Sequence, residues 1–191
     1  DHHRATHLAV ATRALSSLGR AAPSLIAVAS EHTLDSHAMR SIRVVELGGR
    51  RGDSPRLLRE LILPAAIHAM AFCGERYLCV AHRNEYVLLS LATGSVRELF
   101  SFCPDFGTPI LRHLSPNELL VVQPPPRAGE RQLGMFLDKH GDVARRSTAY
   151  WRRPPLGCLV QGRALVTLLP NAIEFDHPDH EPRRQLIAFP D

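Results

Sequence analysis

Four strand-like segments between residues 68 and 102 constrain this chain more than any other part of its sequence. The stretch reads HAMAFCGERYLCVAHRNEYVLLSLATGSVRELFSF, and its segments are residues 68–73, 77–81, 86–91 and 95–100. The turns between them are short and rich in Gly, Asn and charged residues, as in an antiparallel meander. The second and third segments are almost wholly apolar, which predicts strands covered on both faces, whereas Arg97 and Glu98 mark the fourth as a half-exposed outer strand. This combination predicts one four-stranded blade of a β-propeller.

The same order of strands and turns recurs later in the chain. Strand-like segments follow at residues 109–114, 118–123, 132–138 and 143–151, and again at 155–160, 164–169, 172–176 and 183–189. The first turns of the three units fall at residues 74, 115 and 161, which are 41 and then 46 residues apart. That spacing is close to the roughly 40–45 residues of one propeller blade. A single blade cannot bury its own faces, so further copies are what the first one requires.

Residues 1–63 are interpreted as another blade with long loops. Its strands are expected at residues 7–12, 25–30, 41–47 and 56–63, with a loop over residues 31–40. Helices over residues 9–18 and 56–63 are the alternatives, because the Ala and Leu residues there also suit helical spacing. The sequence thus predicts an all-β fold: a partial β-propeller of about four WD40-like four-stranded blades, a single domain over residues 1–191 that is part of a longer chain. Nine residues are expected in its core: Leu78, Val80, Val87, Leu89, Leu119, Val121, Met135, Leu165 and Val166.

The charge distribution argues against a nucleic-acid partner. The net charge is +4, and Lys139 is the single lysine among the 23 basic residues. The arginines are scattered and form no stripe with interleaved aromatic residues, which a nucleic-acid surface would need. The longest apolar runs are only strand-sized, so no membrane-spanning helix is expected.

The cysteine pattern predicts a reducing compartment. Cys73, Cys79, Cys103 and Cys158 lie in or beside apolar strands, and no CxxC pair or short-spaced framework connects them. We therefore expect free thiols and a cytoplasmic location.

No arrangement of residues predicts catalysis or a bound cofactor. His2, His3 and His7 cluster near the start of the chain, and residues 177–181 read HPDHE. Neither group supplies the three or four converging ligands of a zinc site, so we expect no metal. The sequence also has no GxSxG elbow, no cysteine with a readable base and no phosphate-binding glycine loop. We expect a binding protein rather than an enzyme.

Two segments are candidates for contact with a protein partner. The loop PPPRAGERQ, residues 124–132, contains Pro125 and Arg127, and its three prolines favour extended polyproline geometry. The second segment is Trp151 with Arg152 and Arg153, because interfaces favour arginine and aromatic anchors. The alternative is that both segments only decorate the surface.

Three stretches of the sequence resemble a known family. They are residues 73–100 (CGERYLCVAHRNEYVLLSLATGSVRELF), residues 133–146 (LGMFLDKHGDVARR) with the following Trp151, and residues 154–175 (PPLGCLVQGRALVTLLPNAIEF). In this order they resemble the citron homology domain of the endolysosomal tethering subunits. That family contains the transforming-growth-factor-β-receptor-associated and Vps39-like proteins of the CORVET and HOPS complexes. The motifs belong to blade construction, so they carry over no binding residues of the family.

The resemblance implies an N-terminal propeller on a chain that continues as an α-solenoid. Such subunits tether endosomal and vacuolar (lysosomal) membranes before fusion. The partners it implies are Rab GTPases and other tethering-complex subunits, through which the protein would associate peripherally with the membrane. Two alternatives stay open: a citron homology domain attached to a protein kinase and binding small GTPases, and a propeller enzyme with its site in the central channel.

Overall fold

The computed structural model describes residues 3–11, 24–34, 37–48, 53–63, 65–115, 117–144, 148–161, 164–177 and 184–189. Across these residues the chain forms sixteen β-strands and one short 3-10 helix, Pro104–Phe106. The strands build four antiparallel sheets, and each sheet consists of four strands that are consecutive in the sequence.

The first sheet contains β1 (His3–Ala11), β2 (Ser24–Leu34), β3 (His37–Leu47) and β4 (Arg56–Leu63). The second contains β5 (Ile67–Cys73), β6 (Tyr77–His82), β7 (Glu85–Ser90) and β8 (Val96–Ser101). The third contains β9 (Ile110–Ser115), β10 (Glu118–Gln123), β11 (Gln132–Asp138) and β12 (Ala149–Trp151). The fourth contains β13 (Gly157–Gln161), β14 (Ala164–Leu169), β15 (Ala172–Asp176) and β16 (Arg184–Ala188).

The sheets lie side by side around their first strands. β1 contacts β5, β5 contacts β9, and β9 contacts β13. The first strand of each sheet is therefore innermost and the fourth is outermost, which is the arrangement of blades in a β-propeller. The predicted fold, a partial β-propeller of about four blades, is confirmed.

Alternating side chains of the middle strands fill separate cores between neighbouring sheets. In β6, Leu78 and Val80 pack in the core between the first and second sheets. Cys79 and Ala81 point the other way, into the core between the second and third sheets. A further core surrounds Leu120 between the third and fourth sheets. Because such strands are covered on both faces, near-continuous apolar runs are the pattern they need.

Seven of the nine expected core residues are buried: Leu78, Val80, Val87, Leu89, Leu119, Val121 and Leu165. Met135 and Val166 are only half-buried, so their predicted burial is wrong. Met135 shares a face of β11 with Leu133, which borders a groove between the second and third sheets. Val166 follows the buried Leu165 in β14 and therefore points to the face of the fourth sheet that lies away from the third.

The predicted loop at residues 31–40 is wrong for residues 31–34 and 37–40, which belong to the paired strands β2 and β3, and residues 35–36 lie outside the described residues. The hydroxyls of Ser30 and Ser41 lie 3.1 Å apart across this hairpin and share a hydrogen bond. Next to them Arg40 forms an ion pair with Glu31 at 2.7 Å. Polar pairs across the two strands thus stabilise this segment in extended form. Its polar composition alone is equally typical of a loop.

The helical alternative at residues 56–63 is wrong, because this segment is β4. Of the alternative at residues 9–18, residues 9–11 belong to β1 and residues 12–18 lie outside the described residues. The expected strand at residues 143–151 is shorter in the structure. Val143, bridged to Leu137, Ala144, whose amide donates to the Phe136 carbonyl oxygen, and the three residues of β12 pair with β11, while residues 145–147 lie outside the described residues. The reason is a tight turn after β11, in which the Asp138 amide donates to the Asp142 carbonyl oxygen at 2.7 Å.

Candidate functional site

A groove with a volume of about 1050 Å³ opens between the second and third sheets. Residues 101–104, where β8 ends, form one side, together with Asn84. The proline-rich loop 123–131 forms the other side, together with Leu133 and Tyr150. We call this feature the inter-sheet groove.

An aromatic cluster supports Phe102, which borders the groove on the side of the second sheet. The ring centroid of Tyr86 lies 4.9 Å from that of Phe100 and 4.9 Å from that of Phe102. Phe102 also packs edge-on against His68, with centroids 5.8 Å apart. The Phe102 amide donates a hydrogen bond to the Asn84 carbonyl oxygen at 2.8 Å. Ring packing and a backbone bond therefore hold this side of the groove in place.

The same tyrosine ties the aromatic cluster to the third sheet. Its hydroxyl donates a buried hydrogen bond to the Val122 carbonyl oxygen at 3.2 Å. Burial raises the pKa of Tyr86, so the hydroxyl stays protonated and remains a donor. Tyr86, which packs against the groove residue Phe102, thereby bonds the second sheet to the third.

The loop on the third sheet is ordered by its own contacts. Pro124 and Pro125 are buried, whereas Arg127 is exposed. The Glu130 amide donates to the Arg127 carbonyl oxygen at 3.2 Å, and the two side chains form an ion pair at 3.8 Å. The loop therefore presents its charged residues outward over a proline base.

β12 places Tyr150 and Trp151 on opposite faces of the third sheet. Tyr150 pairs with Leu133, borders the groove and is 47% exposed. Trp151 is only 3% exposed. A Cβ atom on Gly134 would lie 2.7 Å from Cη2 of the Trp151 ring, so a glycine at this position makes room for the indole. Trp151 is thus a packing residue, and Tyr150 is the aromatic residue that the groove exposes.

The structure divides the predicted interaction residues into two groups. Pro125 and Trp151 are buried and offer little surface to a partner. Arg127, Arg152 and Arg153 are exposed.

The strand register brings the two predicted segments together. Gln132 pairs with Trp151, so the chain on either side of this pair, at Arg131 and Arg152, leaves the sheet at the same end. Sequence reasoning named both segments but missed Tyr150 and residues 101–104. Neighbouring residues of a strand point to opposite faces of the sheet, so Tyr150 can be identified as exposed once Trp151 is known to face the core.

The turn between β11 and β12 fastens the third sheet to the second. The Cys73 thiol donates to the Asp138 carbonyl oxygen at 2.8 Å. Arg97 donates to the His140 carbonyl oxygen at 2.6 Å and to the Asp142 carboxylate at 3.3 Å. Burial disfavours the Asp138 carboxylate, but hydrogen bonds from the Asp142 and His140 amides outweigh it and lower the pKa of Asp138. These groups are engaged with one another, so the turn acts as a structural joint.

The four cysteines are free thiols, in agreement with the sequence prediction. Burial raises the pKa of Cys73 and of Cys158 to about 11, and that of Cys79 further still. Such thiols are poor nucleophiles near neutral pH. Cys103 differs because it borders the groove, where its thiol lies 3.7 Å from the Asp105 carboxylate.

A buried carboxylate lies on the fourth sheet. Glu174 in β15 is opposite Thr167 of β14 and forms an ion pair with Arg184 of β16. Burial raises the pKa of Glu174, although the Arg184 guanidinium acts in the opposite direction. The stability of this part of the fold is therefore linked to pH.

Within the described residues no group of three or more His, Cys, Asp or Glu side chains is placed to hold a metal ion. Of the two histidine clusters seen in the sequence, His2 and residues 178–181 lie outside the described residues. None of the described segments forms a helix with the length and apolarity needed to cross a bilayer.

No family model matches the sequence. Among curated proteins, transforming growth factor-beta receptor-associated protein 1 from Bos taurus is 28% identical over 137 residues, 72% of this chain. The Mus musculus protein of the same name is 29% identical over 137 residues. Vacuolar sorting protein 39 from Arabidopsis thaliana is 26% identical over 117 residues, 61% of this chain. The chain spans only 11% to 15% of the length of these relatives.

Two solved structures share the fold. The AfRom2 CNH (citron homology) domain superposes with a TM-score of 0.53 at 17% identity, covering 98% of this chain and 54% of that one. An acylaminoacyl peptidase from Pyrococcus horikoshii superposes with a TM-score of 0.59 at 12% identity, covering 97% of this chain and 32% of that one. Identities this low are informative about the fold alone. The sequence matches and the fold together confirm the resemblance predicted above: this chain is similar to the citron homology domain of the tethering subunits.

Proposed function

We propose that this chain is a protein-interaction module of a vesicle-tethering subunit that acts in transport from endosomes to the vacuole or lysosome. The observation that carries the proposal is the sequence similarity to vacuolar sorting protein 39 and transforming growth factor-beta receptor-associated protein 1 over 61% and 72% of the chain. The proposed partners are Rab GTPases or other subunits of a tethering complex. Through them the protein would associate from the cytoplasm with endosomal and vacuolar membranes.

The chemistry of the described residues supports recognition rather than catalysis. The side chains with the most perturbed pKa values, Cys79 and Tyr86, lie inside the cores between sheets and face no cavity. The inter-sheet groove instead combines an exposed tyrosine, prolines and arginines, which are residue types of binding surfaces. The peptidase with a similar fold is only 12% identical and supplies no argument for an enzyme.

The proposal is tested by titrating the protein with a panel of endosomal Rab GTPases in both nucleotide states, and in parallel with the other subunits of the tethering complexes. We expect one of them to bind, and we expect this binding to be abolished when residues 1–191 are deleted from the longer parent protein in which we propose that they lie. Unchanged binding of every partner after the deletion would show that the interaction role is wrong.

A double substitution then asks whether the exposed arginine pair takes part. Arg152→Ala with Arg153→Ala should weaken the contact by roughly 1–3 kcal/mol, because arginines at interfaces carry contributions of this size. The control is Arg56→Ala with Arg76→Ala, which removes two exposed arginines that do not border the groove. If both double variants bind as the parent does, the choice of residues is wrong and the role of the propeller is not affected.

A further inference from the structure

We propose that the inter-sheet groove binds a short acidic peptide segment of a partner protein, with an apolar side chain of the peptide inserted beside Tyr150. This inference rests on the proposed interaction function and deepens it by naming the chemistry of the ligand and the site that receives it.

The dimensions of the groove suit an extended peptide. Its volume of about 1050 Å³ is near the upper end of the roughly 300–1,000 Å³ of small-molecule sites. It opens to solvent between two sheets and is bordered by two chain segments, residues 101–104 on one side and 123–131 on the other. A chain segment with several side chains fits such a trough better than a compact metabolite does.

The groove is lined by both apolar and polar residues. Phe102, Leu133 and Tyr150 contribute apolar area, and Tyr150 is half-exposed without any partner filling the space next to it. Asn84 and Gln123 border the same cavity and offer amide groups that can bond to a peptide backbone. A tyrosine side chain loses little conformational freedom on binding, which favours Tyr150 as an anchor in a groove that is also lined by prolines.

The charge at the loop end of the groove is positive and uncompensated. Arg131 borders the groove, and Arg152 leaves the sheet at the same end, with Arg153 next to it. None of these three guanidiniums forms an ion pair with a described residue. Glu130, the carboxylate that borders the groove, is already paired with Arg127 at 3.8 Å.

An acidic segment is the ligand that complements this arrangement. Exposed arginines attract carboxylates over several ångströms and can bind them with two hydrogen bonds. A single-stranded nucleic acid would also meet the positive charge, but it needs a series of aromatic faces on which bases stack. The described groove exposes one such ring, Tyr150, so the peptide is favoured.

The test uses fluorescence anisotropy with the purified protein and a fluorescein-labelled peptide, Asp-Glu-Asp-Phe-Glu-Asp-Glu. The comparison probes are the same peptide with every acid replaced by Lys, the same peptide with Phe replaced by Ala, and a labelled oligo-dT of ten nucleotides. We expect binding of the acidic peptide, at least fivefold weaker binding of the Ala peptide, and no saturable binding of the Lys peptide or of oligo-dT. Equal binding of the acidic and Lys peptides, or tighter binding of oligo-dT, would overturn the proposal.

Two variants locate the bound peptide. Arg131→Glu with Arg152→Glu should weaken the acidic peptide at least tenfold, and Tyr150→Ala at least fivefold. Arg56→Glu with Arg76→Glu makes the same change of charge away from the groove and should change the affinity less than twofold. Matching losses in the two charge-reversal variants would mean a non-specific electrostatic effect and would refute the site. Unfolding temperatures of all variants establish that they are folded.

The outcomes separate this inference from the proposed function. If the peptide binds at the groove but deletion of residues 1–191 leaves all Rab and tethering-subunit binding intact, the peptide site is supported and the tethering role is wrong. If those partners need the propeller but the groove variants bind peptide and partners as the parent does, the tethering role stands and the groove falls.

Discussion

The phenolic hydroxyl of Tyr86 in β7 donates a buried hydrogen bond to the backbone carbonyl oxygen of Val122 in β10, at 3.2 Å. This bond joins the second and third sheets, and the same ring packs against Phe100 and against Phe102, which borders the inter-sheet groove. One side chain therefore both links the two sheets and packs against a residue of the candidate site.

Replacing that hydroxyl tests the coupling. Tyr86→Phe keeps the ring and removes the bond, which leaves the Val122 carbonyl oxygen without this donor in the core. We expect the free energy of unfolding to fall by about 1 kcal/mol, in line with the loss of one buried hydrogen bond. Denaturant titration measures it, with Tyr150→Phe as the matched control, because the exposed ring of Tyr150 should lose less than about 0.5 kcal/mol. Equal losses in the two variants would contradict the role of the Tyr86 bond.

A second prediction concerns the space beside Trp151. Gly134→Ala adds a methyl group that would overlap the indole ring, so we expect a loss of roughly 1–3 kcal/mol from overpacking. Gly157→Ala is the control, because a Cβ there meets nothing within 4 Å. That variant should be neutral or slightly stabilised, since alanine lowers the entropy of the unfolded chain. Thermal unfolding of both variants and the parent at one pH measures the effect. An unfolding temperature of Gly134→Ala equal to that of the parent would contradict the packing role of Trp151.

A third prediction follows from the buried carboxylate of Glu174. Because folding raises the pKa of Glu174, the folded state binds this proton more tightly than the unfolded chain does. The contribution of Glu174 to the free energy of unfolding therefore falls as pH rises from the ordinary glutamate pKa through the raised one. Glu174→Gln removes this dependence, so the variant should gain stability relative to the parent as pH increases. The measurement is the unfolding temperature of the variant minus that of the parent, taken between about pH 4 and pH 7. We expect this value to increase with pH, and a decrease would contradict the assignment.

A fourth prediction concerns the face of the fourth sheet that points away from the third. Leu159 is 52% exposed, Leu168 40% and Ile187 56%, and the half-buried Val166 and Phe175 lie on the same face. Contiguous apolar patches of this kind drive association. We expect the isolated polypeptide of residues 1–191 to self-associate, and Leu168→Asp with Ile187→Asp to reduce this. Sedimentation velocity measures it, and a parent that stays a monodisperse, cooperatively melting monomer would refute the prediction.

The strands that the sequence predicted best are those enclosed by turn residues. The segments at residues 118–123, 132–138, 164–169 and 172–176 coincide with β10, β11, β14 and β15. The ends of these strands are determined by nearby residues, because Gly, Pro, Asn and charged residues stand at the ends of the apolar runs. The polar hairpin of β2 and β3 was not predicted, because its stability comes from cross-strand pairs such as Arg40 with Glu31 that only the register reveals.

The inter-sheet groove was harder to predict from the sequence than the strands were. Its walls come from β8, the loop after β10 and β12, which are remote in sequence and meet only through the packing of two sheets. Trp151 was expected at a surface, but its burial depends on Gly134 in the neighbouring strand, opposite Ala149. The nearby arginines were found because their exposure follows from composition alone.

Each sheet is made of four strands in sequence order, and this has a consequence for how the molecule loses structure. Each sheet is built from strands that are neighbours in the sequence, and the main contacts between the described strands of different sheets run from one sheet to the next. The free energy of such an array is close to a sum of terms for single units and for adjacent pairs. A substitution that weakens the packing between the third and fourth sheets should then speed amide hydrogen exchange in β14 and β15, while the amides of β6 stay protected. Opening would start at an end of the array and travel inward, one blade at a time.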